Sequence, residues 1–152
     1  MSFVNFNSMK VGITFSTFDL FHAGHVKMLE EAKTKCDYLI VGIKLDPSID
    51  RLKKNKSTQS IIERYVQLKG CKLIDEMIPY VTELDLMDIL SSFKIDIRII
   101  DEDYKNKFFI GKDYCKKKGI KIHYNKRDHM FSSSELRKQV FDSENQKYKT
   151  YD

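Results

Sequence analysis

The chain has 152 residues and a mass of 18.0 kDa, so it fits one compact domain better than two. Hydrophobic residues make up 41% of the chain and charged residues 32%. This is enough apolar material for a hydrophobic core, and it excludes an intrinsically disordered chain. Lys and Arg total 27 against 22 for Asp and Glu, and the net charge of +5 favours anionic partners such as phosphorylated metabolites, nucleic acid or acidic lipid.

The first part of the chain alternates strands with a helix. Residues 10–15 form a short run of apolar and β-branched residues, which is typical of a buried strand. Residues 24–36 carry apolar side chains at intervals of three and four, as an amphipathic helix does. Residues 37–44 predict a second strand that is apolar enough to be covered on both faces.

The middle of the chain begins with a basic loop at 46–58, which we expect to be mobile because it has no hydrophobic periodicity. Ser60 and Glu63 then have the spacing of a capping box, which predicts the start of a helix. A short third strand is predicted within 73–81.

The rest of the chain continues the alternation of helix and strand. The predicted elements are a helix at 82–93, a strand at 95–100, a short helix at 111–118, a strand at 120–124 and a helix from Ser132 to near Phe141. The residues expected on the buried side of the first of these helices are Leu86, Ile89, Leu90 and Phe93. After Asp142 we expect a frayed polar tail.

This order of elements predicts an α/β fold, a Rossmann-like doubly wound five-stranded parallel sheet with helices on both faces. We expect the domain to span 10–141, between an N-terminal extension at 1–9 and a polar C-terminal tail at 142–152. Such sheets bind ligands at the carboxyl ends of their strands, so a functional site is expected in the loops that follow them.

The cysteines and the apolar runs indicate the compartment. Cys36, Cys71 and Cys115 form neither a metal-binding pair nor a disulfide framework, so we expect reduced thiols in a cytoplasmic protein. The longest apolar run, 38–43, is too short to cross a bilayer, and residues 1–8 lack the pattern of a signal peptide. We therefore expect neither secretion nor membrane insertion.

Two histidines follow the first predicted strand at the start of a helix. His22 and His25 lie one turn apart, and Gly24 between them lets a ligand approach the backbone closely. The free N–H groups of the helix start add donors, so the pattern favours phosphate binding. The H-E-x-x-H zinc pattern, the G-x-G-x-x-G fingerprint and the P-loop pattern are absent, which argues against zinc enzymes, dinucleotide oxidoreductases and P-loop enzymes.

The stretch FSTFDLFHAGH at 15–25 is similar to G-T-F-D-x-x-H-x-G-H, the signature of the cytidylyltransferases within the superfamily of H-x-G-H nucleotidylyltransferases. Glu63-Arg64 falls where that family carries a helix arginine. The segments 101–104 (DEDY) and 126–134 fall where glycerol-3-phosphate cytidylyltransferases carry G-D-D-W and R-T-x-G-I-S-T-T. The resemblance covers about 10–141.

The resemblance implies transfer of CMP from CTP to a small phosphorylated alcohol, with glycerol 3-phosphate as the first choice, and release of pyrophosphate. The acceptor phosphate attacks the α-phosphorus directly, so catalysis comes from alignment and from electrostatic stabilisation. The implied cofactor is Mg²⁺ bound to the phosphates, without a protein metal site. Relatives of this size form homodimers, and apolar residues at 73–93 are the candidate interface.

The resemblance also implies a set of site residues. The expected catalytic residues are His22, His25, Arg127 and Lys53. The expected nucleotide-binding residues are Thr17, Phe18, Gly24, His25, Arg64, Asp103, Arg127, Ser132, Ser133 and Ser134. The expected acceptor-binding residues are Asp19, Arg64 and Lys56.

Several alternatives stay open at the level of sequence. The segment 132–137 (SSSELR) is closer to the I-S-S-T-x-x-R ending of adenylyltransferases, which favours ATP as the nucleotide. Asp101 stands where G-D-D-W has glycine, and its carboxylate favours an acceptor such as phosphocholine or phosphoethanolamine. A nucleotide-sensing module without turnover is a third alternative. A nucleic-acid-binding domain is disfavoured because no recognition-helix or RNP-type pattern is present.

Overall fold

The computed structural model describes residues 8–149 and contains a five-stranded parallel sheet. The strands are β1 (Val11–Ser16), β2 (Tyr38–Lys44), β3 (Glu76–Tyr80), β4 (Ile97–Asp101) and β5 (Lys121–Asn125). Their order in the sheet is β3-β2-β1-β4-β5, and all pairs are parallel. Because the order reverses direction at β1, the loops after β1 and β4 diverge and leave a crevice between them. The predicted Rossmann-like α/β fold is confirmed.

Four helices connect the strands, and a fifth follows β5. They are α1 (Ala23–Lys33), α2 (Ile61–Lys69), α3 (Glu83–Ser92), α4 (Lys112–Lys118) and α5 (Ser133–Lys149), with a short 3₁₀ turn at Glu102–Tyr104. The predicted capping box of α2 is present, because Ser60 Oγ accepts from the Glu63 N–H at 3.1 Å and the Glu63 carboxylate accepts from the Ser60 N–H at 2.8 Å. Gly119 ends α4 in the left-handed region at φ 72°, which glycine adopts without strain.

The core consists of two apolar layers, one on each face of the sheet. On one face, Leu29 and Ala32 of α1 and Leu68 of α2 pack against the alternate residues of β2 that include Val41. The residues of the opposite layer come from α3, α4 and the other side of the strands: Ile13, Ile40, Tyr80, Leu86, Ile89, Leu90, Ile95, Cys115 and Ile120. Strand periodicity therefore places consecutive residues on different faces, and this alternation also divides the site described below.

Two details of the sequence prediction are wrong. Phe93, which was expected inside, is 38% exposed because the backbone has already left the helix and is extended at this residue. The last helix does not end near Phe141 but continues to Lys149, although none of its residues is buried. Polar residues and ion pairs such as Lys138–Asp142 and Lys147–Glu144 fit a solvated helix as well as a tail. The predicted N-terminal extension lies largely outside the described residues.

The cysteines are free thiols, in agreement with the sequence prediction. Cys36 and Cys115 are buried, and burial raises the pKa of both. Between residues 8 and 149, the helices are too short or too polar to span a bilayer.

Candidate active site

A cavity of about 440 Å³ opens at the carboxyl edge of the sheet. It is lined by the ends of β1, β4 and β5, by the loop after β2 and by the starts of α1 and α5. This is the edge at which open α/β sheets bind ligands.

The alternation along β1 divides the cavity into two lobes. Thr14 points towards α1, where its hydroxyl lies 3.9 Å from the sulfur of Met28, whereas Phe15 points to the face covered by α3 and α4. We call the first part the histidine lobe; its lining includes His22, Gly24, His25, Ser132 and Ser133. We call the second part the aromatic lobe; its lining includes Phe15, Tyr80, Leu86, Arg98, Phe109 and Ile110.

A chain of hydrogen bonds fixes the orientation of His22. The Gly24 N–H donates to His22 Nδ1 at 3.0 Å, so the neutral ring carries its proton on Nε2. His22 Nε2 lies 3.1 Å from Ser133 Oγ, and the Ser133 hydroxyl donates to the Asp19 carbonyl at 3.1 Å. The start of α1, the start of α5 and the loop after β1 are thereby joined through one imidazole.

His25 is held as a neutral donor. Its Nδ1 accepts from the His22 N–H at 3.3 Å, which places the ring proton on Nε2. The ring stacks on His22 with 3.9 Å between centroids and on Phe21 with 5.7 Å. Burial, reinforced by His22, lowers the pKa of His25 to about 3, and burial also lowers the pKa of His22. Both rings are therefore neutral near pH 7, and each carries an N–H rather than a positive charge.

The loop after β1 is strained and tightly anchored. Phe18 and Leu20 have φ values of 52° and 50°, a region that residues other than glycine rarely adopt. Phe18 is fully buried in the core, and Leu20 N–H donates to the Gln59 side chain at 2.8 Å. The contacts of the Asp19 carboxylate complete the anchoring.

Asp19 binds protein groups instead of facing the cavity. Its carboxylate accepts from the N–H groups of Thr58 and Gln59 at 2.8 and 2.9 Å and from Arg137 at 3.4 Å. These hydrogen bonds hold the pKa of Asp19 below its usual value although burial acts in the opposite direction. Asp19 is 8% exposed and anchors two loops to each other, so the structure does not place it in the cavity lining, where acceptor binding was predicted for it.

Arg64 is also an internal anchor, contrary to its predicted contacts with nucleotide and acceptor. Its side chain is 1% exposed and donates to the carbonyls of Thr17, Lys44 and Leu45 at 2.8, 2.7 and 2.6 Å. A further hydrogen bond reaches the Gln59 carbonyl at 3.3 Å. Arg64 therefore clamps the end of β2 to the loop after β1, and it does not line the cavity.

The expected residues of the histidine lobe are brought together. Thr17, Gly24, Ser132 and Ser133 all line the cavity beside the two histidines. A side chain at Gly24 would meet the His22 ring at 2.8 Å and the Phe131 carbonyl at 2.9 Å, so glycine is required by contacts within the protein.

Three other expected residues lie outside the cavity lining. Phe18 is in the core, and Ser134 Oγ accepts from Arg137 at 3.3 Å. Asp103 contacts the cavity lining through Arg127 and Asp101.

Arg127, for which the sequence predicts a role in catalysis and nucleotide binding, lies at the rim of the cavity, where its side chain is 46% exposed. Its guanidinium is 3.3 Å from the Asp103 carboxylate and 3.7 Å from that of Asp101. The Asp101 carboxylate also accepts from the Asp103 N–H at 2.9 Å. Asp101 is therefore engaged by an arginine and by its own turn.

The basic loop after β2 supplies different side chains from those predicted. Lys53 and Lys56 are exposed and do not line the cavity, whereas Arg51 and Lys54 do. Arg51 forms an ion pair of 3.0 Å with Glu83, which lies at the start of α3. Which basic residue faces the cavity depends on the path of the loop, and the spacing of residues along the sequence does not predict that path.

Sequence reasoning missed several polar residues of the cavity. Lys44 and Arg98 lie within apolar strands, and Asn125 ends β5; all three line the cavity. Asn125 is 4% exposed and both polar atoms of its side chain lack a hydrogen-bond partner. An isolated charge in an otherwise apolar strand was the available signal, because a buried charge needs a specific reason.

Metal ligands are not clustered in this part of the molecule. Between residues 8 and 149 no group of three or more His, Cys, Asp or Glu side chains is placed to hold a metal ion. His123 instead hydrogen bonds to Glu31 at 2.8 Å, outside the cavity lining. The donors of the histidine lobe suit an anion.

Comparison of this chain with a family model and with individual relatives points to the same family. Residues 13–139 match the family described as cytidylyltransferase-like. The glycerol-3-phosphate cytidylyltransferase of Bacillus spizizenii is 41% identical over 107 residues, which cover 70% of this chain and 82% of the relative. The enzyme of the same name from Staphylococcus aureus is 29% identical over 133 residues, which cover 88% of this chain and 96% of the relative.

A solved structure has the same fold. The crystal structure of the lipopolysaccharide core biosynthesis protein from Thermoplasma volcanium superposes with a TM-score of 0.64 and 26% sequence identity. The match covers 79% of this chain and 99% of that protein.

Proposed function

Because the chain belongs to the cytidylyltransferase-like family, we propose that it transfers CMP from CTP to glycerol 3-phosphate, forming CDP-glycerol and pyrophosphate. The observation that carries this proposal is the histidine lobe. Two neutral imidazoles with fixed tautomers and two helix starts converge on one cavity there. The relatives from two bacteria, both named glycerol-3-phosphate cytidylyltransferase, support the choice of substrates.

The reaction needs alignment more than acid–base chemistry. A phosphate oxygen of the acceptor forms a bond to the α-phosphorus of CTP, and the bond from that phosphorus to the bridging oxygen of pyrophosphate breaks. The attacking phosphate is already anionic at neutral pH, so no residue has to remove a proton. Neutral N–H donors aimed at the phosphates stabilise the charge that develops, and they are already oriented before the substrate binds.

Each part of the histidine lobe has a place in this reaction. The free N–H groups at the starts of α1 and α5 receive phosphate oxygens, with Ser132 and Ser133 beside them. His25 Nε2–H donates to the reacting phosphate, and His22 keeps the two helix starts in register. Arg127 at the rim and Lys54 in the basic loop supply positive charge to the outer phosphates.

We propose Mg²⁺ as the cofactor, carried by the triphosphate. The residues of the histidine lobe fit this arrangement because their N–H and hydroxyl groups suit the phosphates that would carry the ion. Bound in this way, Mg²⁺ neutralises phosphate charge and retains most of its water ligands.

The structure weakens one alternative acceptor. The Asp101 carboxylate, which favoured phosphocholine or phosphoethanolamine at the level of sequence, is occupied by Arg127 and by the Asp103 N–H. It therefore has less to offer an ammonium group. Transfer of AMP from ATP is the alternative for the nucleotide, and it rests on the segment 132–137 alone.

We further propose a cytoplasmic homodimer. The free thiols fit a reducing compartment. Leu84, at the start of α3, is 72% exposed and Val81 beside it is 39% exposed, within the region that the sequence suggested as an interface. An isologous contact through this region would lie next to Glu83, which lines the cavity.

The test of the proposed function is a grid of four nucleoside triphosphates against a panel of alcohol phosphates, with Mg²⁺, followed by pyrophosphate release. The expected result is highest turnover with CTP and glycerol 3-phosphate. Higher turnover with ATP across the panel would contradict the choice of nucleotide, and tight CTP binding without turnover on any acceptor would favour a sensing module.

A further inference from the structure

The aromatic lobe contains a buried cation without a negative partner. Arg98 is 4% exposed and lies between the rings of Phe15 and Phe109, with its guanidinium carbon 5.2 and 5.0 Å from their centroids. One of its terminal nitrogens donates to the Ile110 carbonyl. Its Nε has no hydrogen-bond partner.

The other cations at this lobe have carboxylate partners, except Lys112, which lies over the Phe109 ring outside the cavity lining and donates to the Lys107 carbonyl at 3.1 Å. Lys44 pairs with Asp50, Arg51 pairs with Glu83 at 3.0 Å, and Arg127 pairs with Asp101 and Asp103. Between residues 8 and 149, Arg98 has no ion pair with a carboxylate within 4.0 Å. The basic residues Lys54 and Lys126 also lack one, but they are exposed to water, which solvates their charge.

The ionisable side chains around Arg98 do not compensate its charge. They are the Cys115 thiol and the phenols of Tyr80 and Tyr124. Burial raises the pKa of Cys115, and it raises the pKa of Tyr80 to about 12. Desolvation lowers the pKa of Arg98 itself, although an arginine remains charged under these conditions. A buried guanidinium of this kind is costly unless a ligand supplies the negative charge.

We propose that Arg98 binds an oxyanion of the acceptor, so that the aromatic lobe is the acceptor pocket and selects anionic phosphate esters. The inference rests on the proposed function, because it assigns the nucleotide to the histidine lobe and leaves the aromatic lobe for the second substrate. Both lobes line the same cavity, as direct transfer between two bound substrates requires.

The same geometry disfavours acceptors with a cationic headgroup. Aromatic faces are the usual receptors for a quaternary ammonium group. Here the Tyr80 ring already carries Lys44 at 5.2 Å, and the rings of Phe15 and Phe109 already carry Arg98. An ammonium group in the aromatic lobe would be repelled by these like charges, whereas a phosphate or carboxylate would be attracted to them.

The test compares Arg98→Met and Arg98→Lys with a matched control, Lys112→Met. Met has a similar shape without charge, and Lys keeps a charge but lacks Nε and the planar fork. Lys112 also lies over the Phe109 ring, at 5.4 Å, but does not line the cavity. The measurements are the KM of each substrate, the affinity for CTP alone, and the rise in Tm caused by inorganic phosphate or glycerol 3-phosphate.

For Arg98→Met we expect the acceptor KM to rise about 10-fold to 100-fold, as loss of a charged hydrogen bond does. CTP affinity stays within about twofold, and the rise in Tm caused by inorganic phosphate or glycerol 3-phosphate becomes smaller, the remainder coming from the histidine lobe. Arg98→Lys shows a smaller rise in the acceptor KM. Lys112→Met leaves all three quantities unchanged.

A purely structural role gives a different result. Arg98→Met would then lower the Tm of the free protein and leave the KM unchanged for both glycerol 3-phosphate and 3-phosphoglycerate, which would overturn the proposal. If Arg98→Met does not fold, an unchanged acceptor KM in Arg98→Lys overturns it instead.

Two acceptors distinguish which oxyanion Arg98 binds. Equal losses with glycerol 3-phosphate and 3-phosphoglycerate assign it to the reacting phosphate, and a loss confined to 3-phosphoglycerate assigns it to a second anionic group. Failure of the proposed function looks different from either, because the wild-type protein would then release no pyrophosphate from CTP with any acceptor.

Discussion

Among single residues, three arginines show how burial decides the role of a side chain. Arg64 is 1% exposed and binds four backbone carbonyls, whereas Arg127 is half exposed at the rim of the cavity. Arg98 is as buried as Arg64 but keeps an unpartnered Nε. The motif resemblance singled out both Arg64 and Arg127, but it did not distinguish a buried anchor from a group that is exposed to the cavity. That distinction depends on contacts with residues distant in sequence.

The first prediction concerns His25. Replacing His25 by Ala removes an oriented N–H donor, so we expect pyrophosphate release to fall about 10²-fold, as loss of one such donor typically causes. His123→Ala is the matched control, since His123 lies outside the cavity lining and hydrogen bonds to Glu31. Turnover close to that of the wild type in the His25 variant would contradict the mechanism.

The second prediction concerns Arg64. Arg64→Met leaves several buried carbonyls without a donor, and each costs about 1 kcal/mol or more, so we expect the free energy of unfolding to fall by about 3 kcal/mol. Urea denaturation measures this change. Arg127→Met, at the exposed rim, should leave stability almost unchanged. A large rise in the KM for CTP without loss of stability would show that Arg64 binds ligand after all.

Helices and strands could be predicted where the signal for them lies in one contiguous stretch of sequence. The capping box of α2 and the apolar run of β2 are contiguous in sequence, and both were predicted within a residue or two. The length of α5 was not, because a helix without buried residues has no apolar periodicity to read. The inward side chains of the loop after β2 were not predictable either, since Arg51 is positioned by Glu83 of another element.

The start of α1 leads to a prediction about pH. Burial keeps the folded-state pKa of His25 at about 3, below its usual value of 6.5, so between these values the unfolded chain binds a proton that the folded chain does not. The free energy of unfolding therefore falls as the pH drops through this window, and the contribution is complete above about pH 6.5. We expect His25→Asn to flatten the pH dependence of Tm between pH 6.5 and 4 relative to His123→Asn. Parallel curves for wild type and His25→Asn would contradict the neutral, buried state of His25.

The whole molecule combines a Rossmann-like α/β fold with an uneven distribution of charge in its cavity. The sheet order opens the crevice at β1, and strand alternation divides it into a lobe of neutral donors and a lobe with a buried cation. The fold and the position of the site followed from the order of elements, because crossover and sheet rules leave few arrangements. The character of the aromatic lobe did not, since Lys44, Tyr80 and Arg98 meet only after β2, β3 and β4 are aligned.

The last prediction concerns assembly. If an isologous interface forms at the start of α3, Leu84 lies within it, because its side chain is apolar and 72% exposed. Leu84→Glu places two like charges against each other across the two-fold axis, so we expect light scattering to give the mass of the 18.0 kDa chain, against twice that mass for the wild type. Val140→Glu is the control, since Val140 is 57% exposed on α5, outside this region. A monomeric wild-type protein would contradict the dimer, and a dimeric Leu84→Glu variant would place the interface elsewhere.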